Sequence, residues 1–235
     1  MKNIHNEKAS LKKLNSRMRY TLENIDIKDV KGKTVLDIGC GFGWCELDFI
    51  NKGVKKAIGI EIADEDLKSA RMHIKKSNVI FKVGSGLDIP AKDNSIDTVV
   101  CFEVIEHIPK NTEHILFSEI NRVLKKGGVF YLSTPYDNPF TKLLDPAWWL
   151  IGHRHYSKRK LEELAQSNGF KVKSIAVKGG IWSTFGLLYM YISKWIFRTR
   201  TSPLADFFAK KEKHEYKTDN GEGIANIFVT YQLKN

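Results

Sequence analysis

In the stretch "CFEVIEHIP", Cys101 to Pro109, two carboxylates and an imidazole stand as E-x-x-E-H: Glu103, Glu106 and His107. If a strand passes into a helical turn there, the three share one face. They could then hold a divalent cation. With no thiolate in the set, Mg²⁺ or Mn²⁺ suits it better than zinc. Alternatively, His107 with Glu106 beside it could act as a general base near neutral pH. The structural alternative is that Glu106 and His107 only hydrogen-bond loop backbone.

A second stretch, "TVLDIGCGFGWCE", runs from Thr34 to Glu46. An apolar run ends in Asp37, and Gly39, Gly41 and Gly43 follow at alternate positions. A dinucleotide fingerprint would need a third glycine where Trp44 stands, and Asp37 would face a pyrophosphate badly. The "GKT" at Gly32–Thr34 is not a phosphate loop, because its upstream glycine position is Ile27 and it precedes the strand. S-adenosylmethionine fits better, since it carries an ammonium and a sulfonium and no phosphate. Asp37 can meet the ammonium. The glycines let backbone approach without Cβ clashes. Glu61, at the end of the next strand, can accept both ribose hydroxyls. Taken singly, Asp37 also reads as a turn cap and Glu61 as a surface charge.

Strand-like and helix-like segments alternate around these residues. Strands are expected at Thr34–Ile38, Lys56–Ile60, Val79–Val83, "SIDTVVCFE", Val129–Ser133, Phe170–Val177 and Ala225–Leu233. Helices are expected at Trp44–Lys52, Asp64–Ser77, Thr112–Leu124 (ended by Gly127-Gly128) and Ser157–Ser167. Such alternation predicts an α/β, doubly wound, mostly parallel sheet with helices on both faces. Its ligands lie beyond the carboxyl ends of the strands, where Asp37, Glu61, Ser85 and Glu103 all fall.

Bulk properties bound the class. At 235 residues, 42% hydrophobic and 28% charged, the chain reads as one domain, 1–235, with a helical arm over 1–30 and an insert over 178–223. The formal charge of +11 reads first as a lysine-rich solvated surface; nucleic acid is the less favoured partner. Cys40, Cys45 and Cys101 are too few and too unevenly spaced for a disulfide framework, which points to a cytoplasmic protein. No apolar segment follows the basic N-terminus, so no signal peptide is expected. His73, His114 and His214 read as surface residues.

The ordered segments "VLDIGCGFG", "GIEIADEDLKSAR", "NSIDTVVCFEVIEHIP" and "VLKKGGVFYLSTP" resemble the successive motifs of class I S-adenosylmethionine-dependent methyltransferases. The likeness is greatest to the small-molecule branch that includes the ubiquinone-biosynthesis enzymes. It covers roughly Lys31–Val177, with Ala225–Leu233 as the final antiparallel strand. It implies a seven-stranded sheet with strand 7 beside strand 5. It also implies cofactor contacts at Asp37, Gly39, Cys40, Gly41, Gly43, Glu61, Ile62, Ser85, Gly86, Leu87, Cys101 and Phe102. On its own, Cys101 reads as a small core residue. Ser85 departs from the family, which often has an acid there to meet the adenine amino group.

The E-x-x-E-H segment further resembles the metal-binding segment of plant small-RNA 2′-O-methyltransferases. There a histidine from after strand 5 completes the site. The resemblance thus implies a set of Glu103, Glu106, His107 and His153, the last chosen over His155. No N/D-P-P-Y or Pro-Cys signature stands after strand 4, which disfavours amino and cytosine-C5 methylation.

The expected reaction is O-methylation of a small or lipid-linked acceptor. RNA 2′-O-methylation and cofactor binding without catalysis are the rivals. The segment Ile181–Phe197 is apolar on most helical faces, with Ile181, Phe185, Leu188, Ile192 and Trp195 in one stripe. Arg198, Arg200, Lys210, Lys211 and Lys213 follow it. It reads either as a helix packed on the domain or in a homodimer, or as a lid docking on an anionic membrane surface beside "DPAWWLIG".

Overall fold

A computed structural model describes residues 9–195, 204–217 and 223–234. Its strands are β1 (Thr34–Ile38), β2 (Lys56–Glu61), β3 (Val79–Val83), β4 (Ile96–Phe102), β5 (Leu124–Pro135), β6 (Phe170–Lys178) and β7 (Asn226–Leu233). They form one seven-stranded sheet in the order β3-β2-β1-β4-β5-β7-β6, parallel except where β7 pairs with β5 and β6. The sheet and its antiparallel strand match the expected fold class.

Alternation along each strand divides the core between two faces. Leu36, Ile38, Val99, Cys101, Phe130 and Leu132 face one side, under α4 (Glu113–Val123) and α7 (Lys158–Ser167). Val35, Val100, Phe102, Val129 and Tyr131 face the other, under α1 (Ser16–Glu23) and α2 (Trp44–Asn51). Asp37 falls in the second alternation, so its carboxylate is driven into the face that α2 covers.

The structure corrects several boundaries. Helix α3 (Asp64–His73) stops short of Ser77. Ile74 leaves the helix at φ −112°, buries its side chain and packs toward Gly43. The pair Gly127-Gly128 does not end α4. That helix passes directly into β5 at Leu124, and the glycines lie inside the strand, beside a register shift between Ile96 and Thr98. Gly127 has φ +71°, and a Cβ on Gly128 would lie 2.8 Å from the Lys125 carbonyl oxygen. A side chain at either position would break this bulge.

Two short helices follow β5 where none was expected: α5 (Pro139–Leu144) and α6 (Pro146–Ile151). Each has proline at its first position and an Asn138 or Asp145 side chain capping it, the combination that starts helices. The insert forms α8 (Ile181–Trp195) and α9 (Ala205–Lys217); Phe197, Arg198 and Arg200 lie outside the described residues.

The expected α8 stripe is not its buried side: Ile181 and Phe185 are exposed, whereas Thr184 and Ser193 are buried. The small Gly186 lets Phe208 of α9 approach, and Trp182 and Tyr189 pack on the same ring. Glu215 of α9 accepts the N–H groups of Gly180, Trp182 and Ser183 at 2.8–2.9 Å, supplying the carboxylate that the start of α8 lacks. Among the described residues no helix is long and apolar enough to cross a membrane.

Candidate active site

The loops after β1, β2, β3, β4 and β5 all leave the same edge of the sheet, and the expected site residues gather there. After β1 the Gly39 and Cys40 N–H groups bond the Ile60 carbonyl at 2.9 and 3.1 Å, bringing the turn against β2. Gly39, Gly41 and Gly43 all have positive φ, a region that glycine enters without strain. A Cβ on Gly39 would lie 2.3 Å from Val104 Cγ2 and one on Gly43 2.5 Å from Ile74 Cδ1, while Gly41 faces open space.

Asp37 is 3% exposed and its Oδ2 has no hydrogen-bond partner among the described residues. Burial pushes it up to about 8, against the hydrogen bond from the Cys45 thiol and with a further push from Glu61. Glu46 on α2 is fully buried, its two carboxylate oxygens unpartnered among the described residues. Burial and then Asp37 raise it well above the carboxylate range. Sequence reading missed Glu46; the available signal was an acid in the apolar first turns of "WCELDFI".

Glu61 accepts the Gly41 N–H at 3.0 Å and the Ile62 N–H at 3.3 Å. Three carboxyls, desolvated and each acting on the others, thus lie near an open glycine. Such a place favours a cation. The unpartnered Asp37 oxygen and the space at Gly41 fit the ammonium and the chain of S-adenosylmethionine.

The other expected contacts divide. Ile62 is 75% exposed and offers an apolar face. The Ser85 hydroxyl accepts the Leu87 N–H at 3.1 Å, so it is already tied into its own turn. Gly86 is packed under α4, where a Cβ would lie 2.8 Å from Leu116 Cδ1. Leu87 is partly buried, packed against the core. Cys40 and Cys101 are fully buried and their thiols are held protonated by burial. They can offer a ligand only backbone. Phe102 packs against Trp44.

The E-x-x-E-H segment does not become a helical turn. Glu103 takes φ +58°, and the His107 N–H closes a tight turn on the Val104 carbonyl at 2.9 Å. This reversal separates the two glutamates. Glu103 accepts from Ser133 Oγ at 2.7 Å and Asn226 Nδ2 at 3.3 Å, and it pairs with Arg17 of α1. Glu106 is buried; its Oε2 accepts from Thr134 Oγ1 at 3.0 Å and its Oε1 has no hydrogen-bond partner among the described residues. Burial, then Glu103, raise its carboxyl well above the usual range.

His153 Nε2 lies 3.7 Å from Glu106 Oε1 and 3.3 Å from His107 Nε2. Ligand atoms of Glu106, His107 and His153 all fall within 4.8 Å of one another, a span one cation can bridge. The structure therefore brings together three of the four residues named from sequence and leaves Glu103 with Arg17. Burial and His153 hold His107 below the usual imidazole range.

Three further residues hold this arrangement and were not singled out from sequence. Arg154 Nη2 donates to the Ile105 and Ile108 carbonyls at 2.6 Å, and Tyr156 Oη donates to Ile105 at 3.0 Å. Together they clamp the turn that carries Glu106 and His107. Asp145 Oδ2 lies 3.3 Å from His153 Nδ1 and 3.0 Å from His155 Nε2. Burial would raise the Asp145 carboxyl, but these bonds and that from the Ala147 N–H hold it below its usual range.

A methyltransferase domain family matches residues 36–132. A probable S-adenosylmethionine-dependent methyltransferase of Mycolicibacterium smegmatis is 32% identical over 142 residues, 60% of this chain and 53% of that protein. A ubiquinone biosynthesis O-methyltransferase of Xanthomonas oryzae pv. oryzae is 37% identical over 109 residues, 45% of this chain and 44% of that one. The chain spans about half the length of the curated relatives it matches. An S-adenosylmethionine dependent methyltransferase structure from Mesorhizobium loti has a TM-score of 0.66 at 13% identity, covering 95% of this chain and all of that one. At that identity the likeness speaks for the fold alone.

Proposed function

We propose that this chain is a class I S-adenosylmethionine-dependent methyltransferase, a reading supported by the methyltransferase domain family that matches residues 36–132 and by its relatives, and that it methylates an oxygen of a small or lipid-linked acceptor. The observation that carries the reading is the contact between Val104 and Gly39. It sets the turn that carries Glu106 and His107 against the glycine turn expected to hold the cofactor, which supports a proton-handling role for those residues. Similarity to ubiquinone biosynthesis O-methyltransferases favours oxygen as the acceptor atom.

S-adenosylmethionine supplies an electrophilic sulfonium methyl when bound. Asp37 and Glu61 orient it, and the glycine turn gives it room. Glu106, His107 and His153 would hold Mg²⁺ or Mn²⁺, and the ion would lower the pKa of a bound hydroxyl. Two nitrogens in this set weigh toward Mn²⁺, because Mg²⁺ prefers oxygen. In the metal-free form of this mechanism His107 is instead the general base: burial and His153 hold it below the usual imidazole range, which favours the neutral ring that accepts the acceptor's proton.

The lipid-linked reading rests on surface chemistry. Leu143, Trp149, Leu150 and Ile151 on α5 and α6 are 58–70% exposed. Phe140 of α5 meets Phe185 of α8, which continues the apolar surface to Trp182 and Met190. Lys211 lies over the Trp182 and Phe207 rings at 5.3 and 5.8 Å, a cation at the border of the patch. Apolar rings edged by lysine suit an anionic bilayer.

The intact protein is expected to sediment with anionic vesicles at low and moderate salt. Trp149→Ser with Ile151→Ser should lower the bound fraction about tenfold or more, since each buried side chain is worth roughly 1.5–3 kcal/mol. Wild-type protein left in the supernatant at both salts would make the patch a packing or dimer surface. The reaction itself is tested with radiolabelled methyl donor and a total lipid extract. Label in an alkali-stable lipid product supports the proposal. Label only in added RNA, or cofactor binding with no transfer, gives it to one of the rivals.

A further inference from the structure

Asp145 lies between α5 and α6 and is 4% exposed. Its Oδ1 accepts the Ala147 N–H at 2.9 Å and so caps α6. Its Oδ2 faces two imidazoles, His153 Nδ1 at 3.3 Å and His155 Nε2 at 3.0 Å. His155 is occupied on its other side, where Nδ1 lies 3.0 Å from the Tyr136 carbonyl oxygen. The other nitrogen of His153 points the opposite way, toward Glu106 and His107. A carboxylate oxygen accepts, so the proton of His153 belongs on Nδ1 and the lone pair on Nε2.

We propose that Asp145 is the positioning residue of the site: it fixes His153 in the tautomer whose Nε2 lone pair faces Glu106 and His107. Asp145, His153 and His155 could by spacing hold a cation of their own. The arrangement argues for orientation instead. Both His155 nitrogens face acceptors, Nδ1 the Tyr136 carbonyl and Nε2 the Asp145 carboxylate, and His153 cannot give one orientation to two centres. A carboxylate behind a ligating or basic imidazole raises its basicity and locks its ring. The same side chain starts α6, so the apolar surface of α6 and the ring of His153 share one anchor. This inference rests on the proposed site, but the tautomer can be read whether or not a metal binds.

Asp145→Asn isolates the effect. Asparagine keeps an oxygen for the Ala147 N–H and is a good helix cap. Its amide N–H groups then face His153 Nδ1, which must become the acceptor, moving the proton to Nε2. Two readouts follow. Long-range ¹H–¹⁵N spectra should show His153 protonated on Nδ1 in the wild type and on Nε2 in the variant. Mn²⁺ affinity, by calorimetry, should fall about 10–100-fold.

The tautomer flip with no Mn²⁺ binding by either protein would support the role of Asp145 and remove the metal from the proposed mechanism. An unchanged tautomer together with unchanged Mn²⁺ affinity would overturn the inference. Should Asp145→Asn unfold, Asp145→Ser keeps a capping oxygen too short to reach His153. A folded serine variant with the wild-type tautomer and affinity would equally overturn it.

Discussion

Asp37→Asn is expected to bind S-adenosylmethionine about 30–300-fold more weakly than the wild type while unfolding at a higher temperature. Losing the charge removes a charge-assisted hydrogen bond to the ammonium, worth about 2–3 kcal/mol. The unliganded protein pays to bury that carboxyl, because Asp37 lies beside the fully buried Glu46 and its Oδ2 has no partner among the described residues. An amide should relieve about 1–3 kcal/mol of that cost.

The pH dependence carries the same sign. With Asp37 pushed up to about 8 from an ordinary 3.8, the folded state keeps a proton that the unfolded chain releases. Stability without ligand is therefore fully present below about pH 4 and falls as pH rises toward 8, by at most about 1.4 kcal/mol per unit for one proton. Binding the ammonium expels that proton, so cofactor affinity should rise from pH 5.5 to 7.5. It should level off where an α-ammonium itself deprotonates, at about pH 8. Thermal melts and calorimetry across that range check both. A variant of wild-type affinity, or melting no higher than the wild type in its absence, would remove Asp37 from the ammonium site.

What could be read from sequence followed local physics. The runs that became β1 and β3 were bounded to the residue, because alternation and flanking turns specify them without reference to the rest of the chain. The glycine turn after β1 was legible because positive φ at alternate positions demands glycine. The failures were long-range. Ile74 ends α3 early to fill space beside Gly43, and Glu215 caps a helix 35 residues away; neither has a local signature. The spacing of Glu103, Glu106 and His107 implied one face only on the assumption of a helical turn. The positive φ of Glu103 turns its carboxylate toward Arg17, a residue 86 positions earlier that spacing could not connect to it. Asn138-Pro139 and Asp145-Pro146, by contrast, were readable helix starts.

That departure separates two ligand sets. Glu106→Ala and His153→Ala are each expected to weaken Mn²⁺ binding more than about 100-fold, and to lower kcat/KM by about 10²–10⁴ where the metal or the imidazole handles the acceptor's proton. Glu103→Ala should leave Mn²⁺ affinity within about threefold if the site is Glu106, His107 and His153 as they stand, with the usual loss reserved for true ligands. Its cost should fall on stability instead. Arg17, Ser133 and Asn226 all donate to Glu103, and removing their shared acceptor should cost about 1–3 kcal/mol.

The pattern inverts if the cation draws Glu103 away from Arg17. Mn²⁺ affinity would then fall with Glu103→Ala as steeply as with Glu106→Ala, and Arg17→Ala would raise it by releasing a competing cation. Measuring all four variants by calorimetry and melting therefore decides whether α1 holds Glu103 as part of the fold or lends it to the site. A flat result, with no variant altering Mn²⁺ affinity, would leave His107 and Glu106 as a proton-transfer pair acting without a metal.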